Sequence, residues 1–202
     1  LALAYAETHP ERASELVLRG IFTLRRAELE WFYQEGCSWI FPEAFEDYLR
    51  PIPVPERDDL ISAYHRRLTH PDPKVQLEAA RAWSIWEGTT LSLQQDPERI
   101  KLFSADQYAI AFARIECHYF ANRGFFARDD ELLAEAHRLA GIPGTIVHGR
   151  YDMPCPARYA WGLHKAWPRA EFFLIEGAGH AFSEPGILDR LIYATDKFAG
   201  KA

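Results

Sequence analysis

Thr145-Ile146-Val147-His148-Gly149, running on into Arg150-Tyr151-Asp152, and Phe172-Phe173-Leu174-Ile175, running on into Glu176-Gly177-Ala178-Gly179-His180, decide how this chain is read. Each opens as a short apolar run rich in β-branched or aromatic residues and passes into a glycine-containing loop, the pattern of a buried strand with a tight turn after it. A helical pattern lies between them, over residues 157 to 166, and another follows from Pro185 to Phe198. Strands alternating with helices predict a parallel sheet. Ligands of open parallel sheets sit outside the carboxyl ends of the strands, so Asp152 and His180 stand where chemistry is sought first.

Outward from this core, residues 1 to 22 read as a helix ending near His9-Pro10 and then a buried strand, Leu16-Val17-Leu18-Arg19-Gly20-Ile21-Phe22. From Thr23 to Leu139 strand signals vanish and helical periodicity takes over, with Pro55-Glu56-Arg57-Asp58 and Asp72-Pro73 as helix-start punctuation. Asp72 is expected to cap a helix whose first residue is Pro73 and whose apolar positions run through Val75, Ala79, Ala82, Trp83 and Trp86 to Gly88. A second helix is expected after Ser104, with Ser104 and Gln107 as a capping box and Tyr108, Phe112, Ile115 and Tyr119 as its apolar stripe. The expected fold class is α/β, with residues 1–22 and 140–202 forming part of a parallel-sheet domain and 23–139 forming an inserted all-helical cap.

Composition narrows the function classes. The chain has 202 residues, 48% of them apolar, and so can bury a substantial core. It contains no apolar run long enough to span a membrane and no signal-peptide pattern at its start, which makes a cytoplasmic protein the default expectation. A net charge of -6 without a basic stretch argues against a nucleic-acid partner. Cys37, Cys117 and Cys155 fit neither a disulfide framework nor a zinc site, so free thiols and no metal are expected. Leu1-Ala2-Leu3-Ala4-Tyr5-Ala6 begins inside a helical pattern with no N-cap before it, which suggests that further sequence precedes it.

An acid at the end of one strand and a histidine at the end of the next are the last two members of a nucleophile–acid–base triad in chain order. In that reading Asp152 accepts the imidazole Nδ1 proton, and Nε2 of His180 acts as general base and then acid. Singly, each residue also fits an ordinary loop; the pairing after successive strands carries the inference. Two glutamates break local rules as well. Glu116 falls among the apolar residues of its helix, and Glu87 stands at a helix end where the macrodipole disfavours negative charge. Pairing of Glu116 with Arg114 or Arg19, and plain solvation of Glu87, are the competing explanations.

His148-Gly149-Arg150-Tyr151-Asp152-Met153 and Glu176-Gly177-Ala178-Gly179-His180 resemble the acid and histidine segments of prolyl aminopeptidases, also called proline iminopeptidases, a family of the α/β-hydrolase fold. Leu1–Ala6 is similar to the helix after that family's nucleophile elbow, Arg19–Phe22 to the strand leading into its cap, and Trp86-Glu87-Gly88 and Ala113-Arg114-Ile115-Glu116 to its substrate-binding cap motifs. The resemblance covers essentially the whole chain and the C-terminal two thirds of the family. It implies a serine exopeptidase that releases N-terminal proline from peptides, with Asp152 and His180 catalytic, Glu87 and Glu116 binding the substrate amine, and Phe22 and Arg19 beside it. Trp31, Phe32 and Tyr33 are further candidate walls for the proline ring. No metal or organic cofactor is implied.

The family's serine sits in a Gly-x-Ser-x-Gly turn just upstream of where this chain starts. None of Ser14, Ser38, Ser62, Ser84, Ser92, Ser104 and Ser183 has that context. These residues alone are therefore expected to show negligible peptidase activity and to leave apolar sheet edges uncovered. Two alternatives share the features: another capped α/β-hydrolase, such as an esterase or epoxide hydrolase, and a non-catalytic binding module derived from one.

Overall fold

In a computed structural model describing residues 1–200, the elements in chain order are α1 (Ala2–Thr8), β1 (Leu16–Arg19), α2 (Arg26–Leu29), α3 (Pro42–Leu49), α4 (Leu60–Leu68), α5 (Pro73–Thr90), α6 (Pro97–Ser104), α7 (Asp106–Ala121), α8 (Glu131–Ala134), β2 (Gly144–Gly149), α9 (Ala157–Ala166), β3 (Ala170–Ile175) and α10 (Pro185–Phe198). They fall into two compact units. One joins Leu1–Thr23 to the chain from Ala127 onward; the other is Leu24–Phe126.

The first unit is built on a three-stranded parallel sheet in the order β1-β2-β3, with Leu16 level with Gly144 and Gly144 level with Ala170. All six residues of β2 are buried, as a central strand covered on both faces requires. Side chains alternate across it. Phe172, beside Ile146, stacks on His164 of α9, whereas Phe173, beside Val147, meets Tyr193 of α10 edge-on. Val147, Ala178 and Ile187 form the buried centre of the α10 side. Because the strands are parallel and in register, the segments after β1, β2 and β3 leave the sheet along one edge.

Two boundaries differ from the sequence reading. The first strand stops at Arg19 instead of Phe22, because Gly20 turns into the left-handed region at φ +54. The helical insertion ends at Phe126 instead of Leu139: α8 and the 3-10 turn Ala136–Gly141 pack on α1 in the first unit. That packing encloses Glu7, which is 4% exposed and whose Oε1 has no hydrogen-bond partner. Burial first, and the negative charge of Glu135 second, push its pKa up to about 8, against the lowering effect of Arg138. A carboxyl that folding holds protonated stabilises fully below its unfolded pKa and loses that stabilisation as pH rises through its folded one. Glu7→Gln is therefore expected to raise the melting temperature at pH 8 by several degrees and to leave it unchanged below pH 4.5. An equal gain at both pH values in thermal melts would refute this account of Glu7.

The second unit is helical, with α5 packed against α3, α4, α6 and α7. Asp72 caps α5 by accepting from the Lys74 N–H, and Asp59 and Asp96 do the same for α4 and α6. The Pro55–Asp58 signal falls on a short 3-10 turn, Val54–Glu56, and the helix itself starts at Leu60. The helix from Pro73 passes through Gly88, where Phe103 of α6 packs, and ends at Thr90.

The second expected helix is corrected in two respects. Ser104 is still the last residue of α6 and donates to the Lys101 carbonyl, so no capping box forms. The buried face of α7 is Ala109, Ala113, Cys117 and Phe120, while Ile115 is 63% exposed. Small residues let α7 approach its neighbours closely and leave the larger side chains on its flanks.

Candidate active site

The loops after β2 and β3 meet at the sheet edge. Gly149 makes this possible: a Cβ there would lie 2.0 Å from the Gly179 carbonyl oxygen and 2.5 Å from that of Ala178. The Arg150 and Tyr151 N–H groups donate to the carbonyls of Ile175 and Ala178, lacing the two loops together. Across them Asp152, 2% exposed, has Oδ1 and Oδ2 at 3.1 and 2.9 Å from Nδ1 of His180. Oδ1 also accepts from the Cys155 N–H at 2.8 Å. With a carboxylate as acceptor, Nδ1 carries the proton, which leaves the Nε2 lone pair of His180 available as a base. The exposed Arg150–Glu176 pair, bidentate at 2.7 and 3.1 Å, spans the same two loops on the solvent side and is screened there.

Asp152, Cys155 and His180 also bring a carboxylate oxygen, a thiol and an imidazole nitrogen within 4.8 Å of one another, and they are the one such grouping among the described residues. Both Asp152 oxygens already accept hydrogen bonds, which commits the carboxylate to the imidazole and the Cys155 backbone. All three cysteines are buried and outside any disulfide.

The family follows from this architecture together with sequence comparison: the model of the alpha/beta hydrolase fold matches residues 1–186. The chain belongs to the α/β-hydrolase fold family. Within it, the chain is 58% identical over 201 residues to a probable proline iminopeptidase of Leptolyngbya boryana and 59% identical over 198 residues to the proline iminopeptidase of Xylella fastidiosa (strain Temecula1 / ATCC 700964). These matches cover 100% and 98% of the chain but 63% of each relative, so the chain spans less than two thirds of their length. Among solved structures, an esterase (EaEST) from Exiguobacterium antarcticum aligns over 99% of the chain and 62% of its own, at a TM-score of 0.53 and 18% identity, a likeness of fold alone.

The other candidate residues of this α/β-hydrolase take distinct positions. Arg19 donates from Nη1 to the backbone carbonyl of His180, so its hydrogen bond steadies the histidine loop and not a glutamate. Phe22 lies two residues beyond Gly20, partly buried.

The two glutamates come together in the helical unit. Glu87 is 5% exposed, and its carboxyl is close enough to that of Glu116 for the two to act on each other's titration. The Tyr33 hydroxyl donates to Oε1 of Glu87, and the Trp83 indole N–H donates to Oε2 of Glu116 at 2.8 Å. Tyr33 and Trp83 stack with centroids 4.4 Å apart. Desolvation raises both carboxyl pKa values, and for Glu87 the charge of Glu116 adds to it; Glu116 reaches about 7. Burial also holds Tyr33 well above the usual phenol range, so it stays a donor. Among the described residues no basic side chain forms an ion pair with either glutamate, which sets aside the expected alternatives of Arg114 or Arg19 pairing and of a solvated Glu87.

One member of this cluster, Trp83, reads in the sequence only as a core position, and Tyr33, expected as a ring wall, instead donates to Glu87. Trp83 lies one helical turn before Glu87 and therefore shares its face, a spacing that could have marked it. Tyr33 owes its aim to a π-helical turn, Glu30–Gln34, that continues α2 and carries no sequence signature. Phe32 and Tyr33 are buried and belong to the aromatic core, with Trp31 packed against Gly36. Among the described residues, no helix is long and apolar enough to cross a membrane.

Proposed function

We propose that this chain is the acid, base and amine-recognition part of a serine exopeptidase that releases N-terminal proline from peptides. Asp152 orients His180, and His180 takes the proton from a serine nucleophile and returns it to the leaving amine. On this reading the serine belongs to a Gly-x-Ser-x-Gly turn before Leu1, as the resemblance implies. Glu87 and Glu116 hold the protonated imino group of the substrate. The names of the curated relatives support the substrate class.

One observation carries the reading: two neighbouring carboxyls, Glu87 buried and Glu116 half-buried, held by the Tyr33 hydroxyl and the Trp83 indole of a stacked aromatic pair, with no ion pair to a basic side chain among the described residues. Buried carboxylates are retained against their desolvation cost when something cationic is to meet them. Aromatic faces around a carboxylate pair suit an ammonium on an apolar ring. An ester or epoxide substrate gives no reason for such a pair.

The test is calorimetric titration of the chain with L-prolinamide and with cyclopentanecarboxamide, the same ring without its nitrogen. The cationic ring is expected to bind and the neutral one not to. A cation favours the ionised pair, and the pair takes up a proton as pH falls through about 7. Prolinamide affinity is thus expected to drop about tenfold per pH unit below 7, with one proton released per ligand bound. Equal binding of the two rings, or an affinity flat between pH 5 and 8, sinks the amine reading and leaves a neutral-substrate hydrolase.

A further inference from the structure

Three consecutive residues at the exit of β1 each engage the histidine loop or its support. Arg19 donates from its guanidinium to the His180 carbonyl. Gly20, at φ +54, lies against the imidazole itself: a Cβ there would stand 2.7 Å from Cε1, 3.1 Å from Nδ1 and 3.3 Å from Nε2 of His180. The Ile21 N–H donates to Nδ1 of His148 at 3.2 Å. His148 is fully buried at the end of β2, and its Nε2 is 2.8 Å from the Cys155 carbonyl and 3.5 Å from Oδ2 of Asp152.

We propose that the turn Arg19-Gly20-Ile21, together with His148, is the positioning element that fixes His180 against Asp152. This rests on reading that couple as the acid and base of the reaction. Each contact restrains a different degree of freedom. The Arg19 bond holds the loop at the His180 carbonyl. The bare Cα of Gly20 gives the ring a backbone surface to lie on, which limits its rotation. Through His148, Ile21 reaches the Cys155 carbonyl, and the Cys155 N–H in turn holds Asp152.

The tautomer of His148 follows from its partners. Ile21 offers a donor, so Nδ1 must present its lone pair, and the proton on Nε2 is donated to the Cys155 carbonyl. Protonating Nδ1 would set one N–H against another. Burial lowers the His148 pKa against the raising influence of Asp152, with His180 and Arg19 adding further lowering, so the ring remains a neutral strut. Asp152, His180 and Arg19 are the charged or titratable groups acting on it. These residues are positioning residues: they act through His180 and Asp152 and exchange no proton with the substrate.

The experiment uses proton NMR on the whole chain. The Nδ1 proton shared by His180 and Asp152 gives a far-downfield resonance, and the Trp167 indole N–H, bonded to the Ile142 carbonyl at 3.0 Å, is the reference for an intact unit. Gly20→Ala is expected to abolish the downfield resonance while the Trp167 signal stays. Arg19→Met is expected to speed amide exchange over residues 179 to 182 about tenfold, with Arg19→Lys restoring part of the protection. Should Gly20→Ala fail to fold, the Arg19 pair alone decides. An unchanged downfield proton and unchanged exchange in folded variants would overturn the proposal. Loss of the His180 signal in a chain that binds both rings equally would uphold the positioning role and sink the amine reading, so the two fail separately.

Discussion

Glu87→Gln is expected to make the helical unit more stable above pH 7 and at the same time to weaken prolinamide binding roughly a hundredfold. The two effects have one cause. Desolvation and the neighbouring Glu116 raise the Glu87 carboxyl, so at high pH the folded state carries a penalty for ionising the pair that the unfolded chain does not. A raised carboxyl contributes stability at low pH and loses it as pH climbs through its folded value, and a glutamine has nothing to lose. The amide oxygen still accepts from the Tyr33 hydroxyl, so packing is retained. The cost falls on the cation, which loses one of the two carboxyls that hold it. Thermal melts at pH 8 and calorimetry on the same sample check both signs. A variant that is less stable and binds equally well would show that Glu87 is there for the fold.

Gly149→Ala is expected to destabilise the first unit by about 3 kcal/mol, near the upper end of overpacking costs. Its new methyl would collide with two backbone carbonyls, of Gly179 and Ala178, and not with a side chain that could swing aside. The loop that carries His180 must then move away from the loop that carries Asp152. Gly177→Ala is the control, since nothing lies within 4 Å of a Cβ at that position, and it is expected to change stability by less than about 0.5 kcal/mol. Urea unfolding followed by the Trp167 indole proton signal, which is bonded to the Ile142 carbonyl in the first unit, separates the two. Similar midpoints for both variants would mean that the loops are not in tight contact.

The strands, helices and loop ends of the first unit were legible because their signals are local: a glycine-closed apolar run needs no knowledge of the rest of the chain. β2, α9, β3 and α10 lie where the sequence places them, and Asp152 and His180 follow from their strand ends. What escaped the reading depends on neighbours distant in sequence. Ile115 is apolar, yet it faces out, because Ala109, Ala113 and Cys117 are the residues small enough to lie in the seam. Ser104 looks like a cap, but α6 runs through it and Ala105 makes the break in extended conformation. Arg19 reads as a candidate partner for a glutamate, and only the fold shows its guanidinium on a backbone carbonyl. Glu87 and Glu116 were flagged for breaking helix rules, whereas the hydroxyl and the indole that hold them depend on a π-helical turn and on how α5 meets α7.

The register of β1 bears on how the chain assembles. β2 and β3 are joined through one short helix, whereas Leu16 finds Gly144 only across the entire insertion. The chain entropy of closing that loop falls on a four-residue strand. The residues that seat the imidazole lie immediately beyond this strand, so the geometry of His180 depends on the contact with the greatest contact order in the sheet.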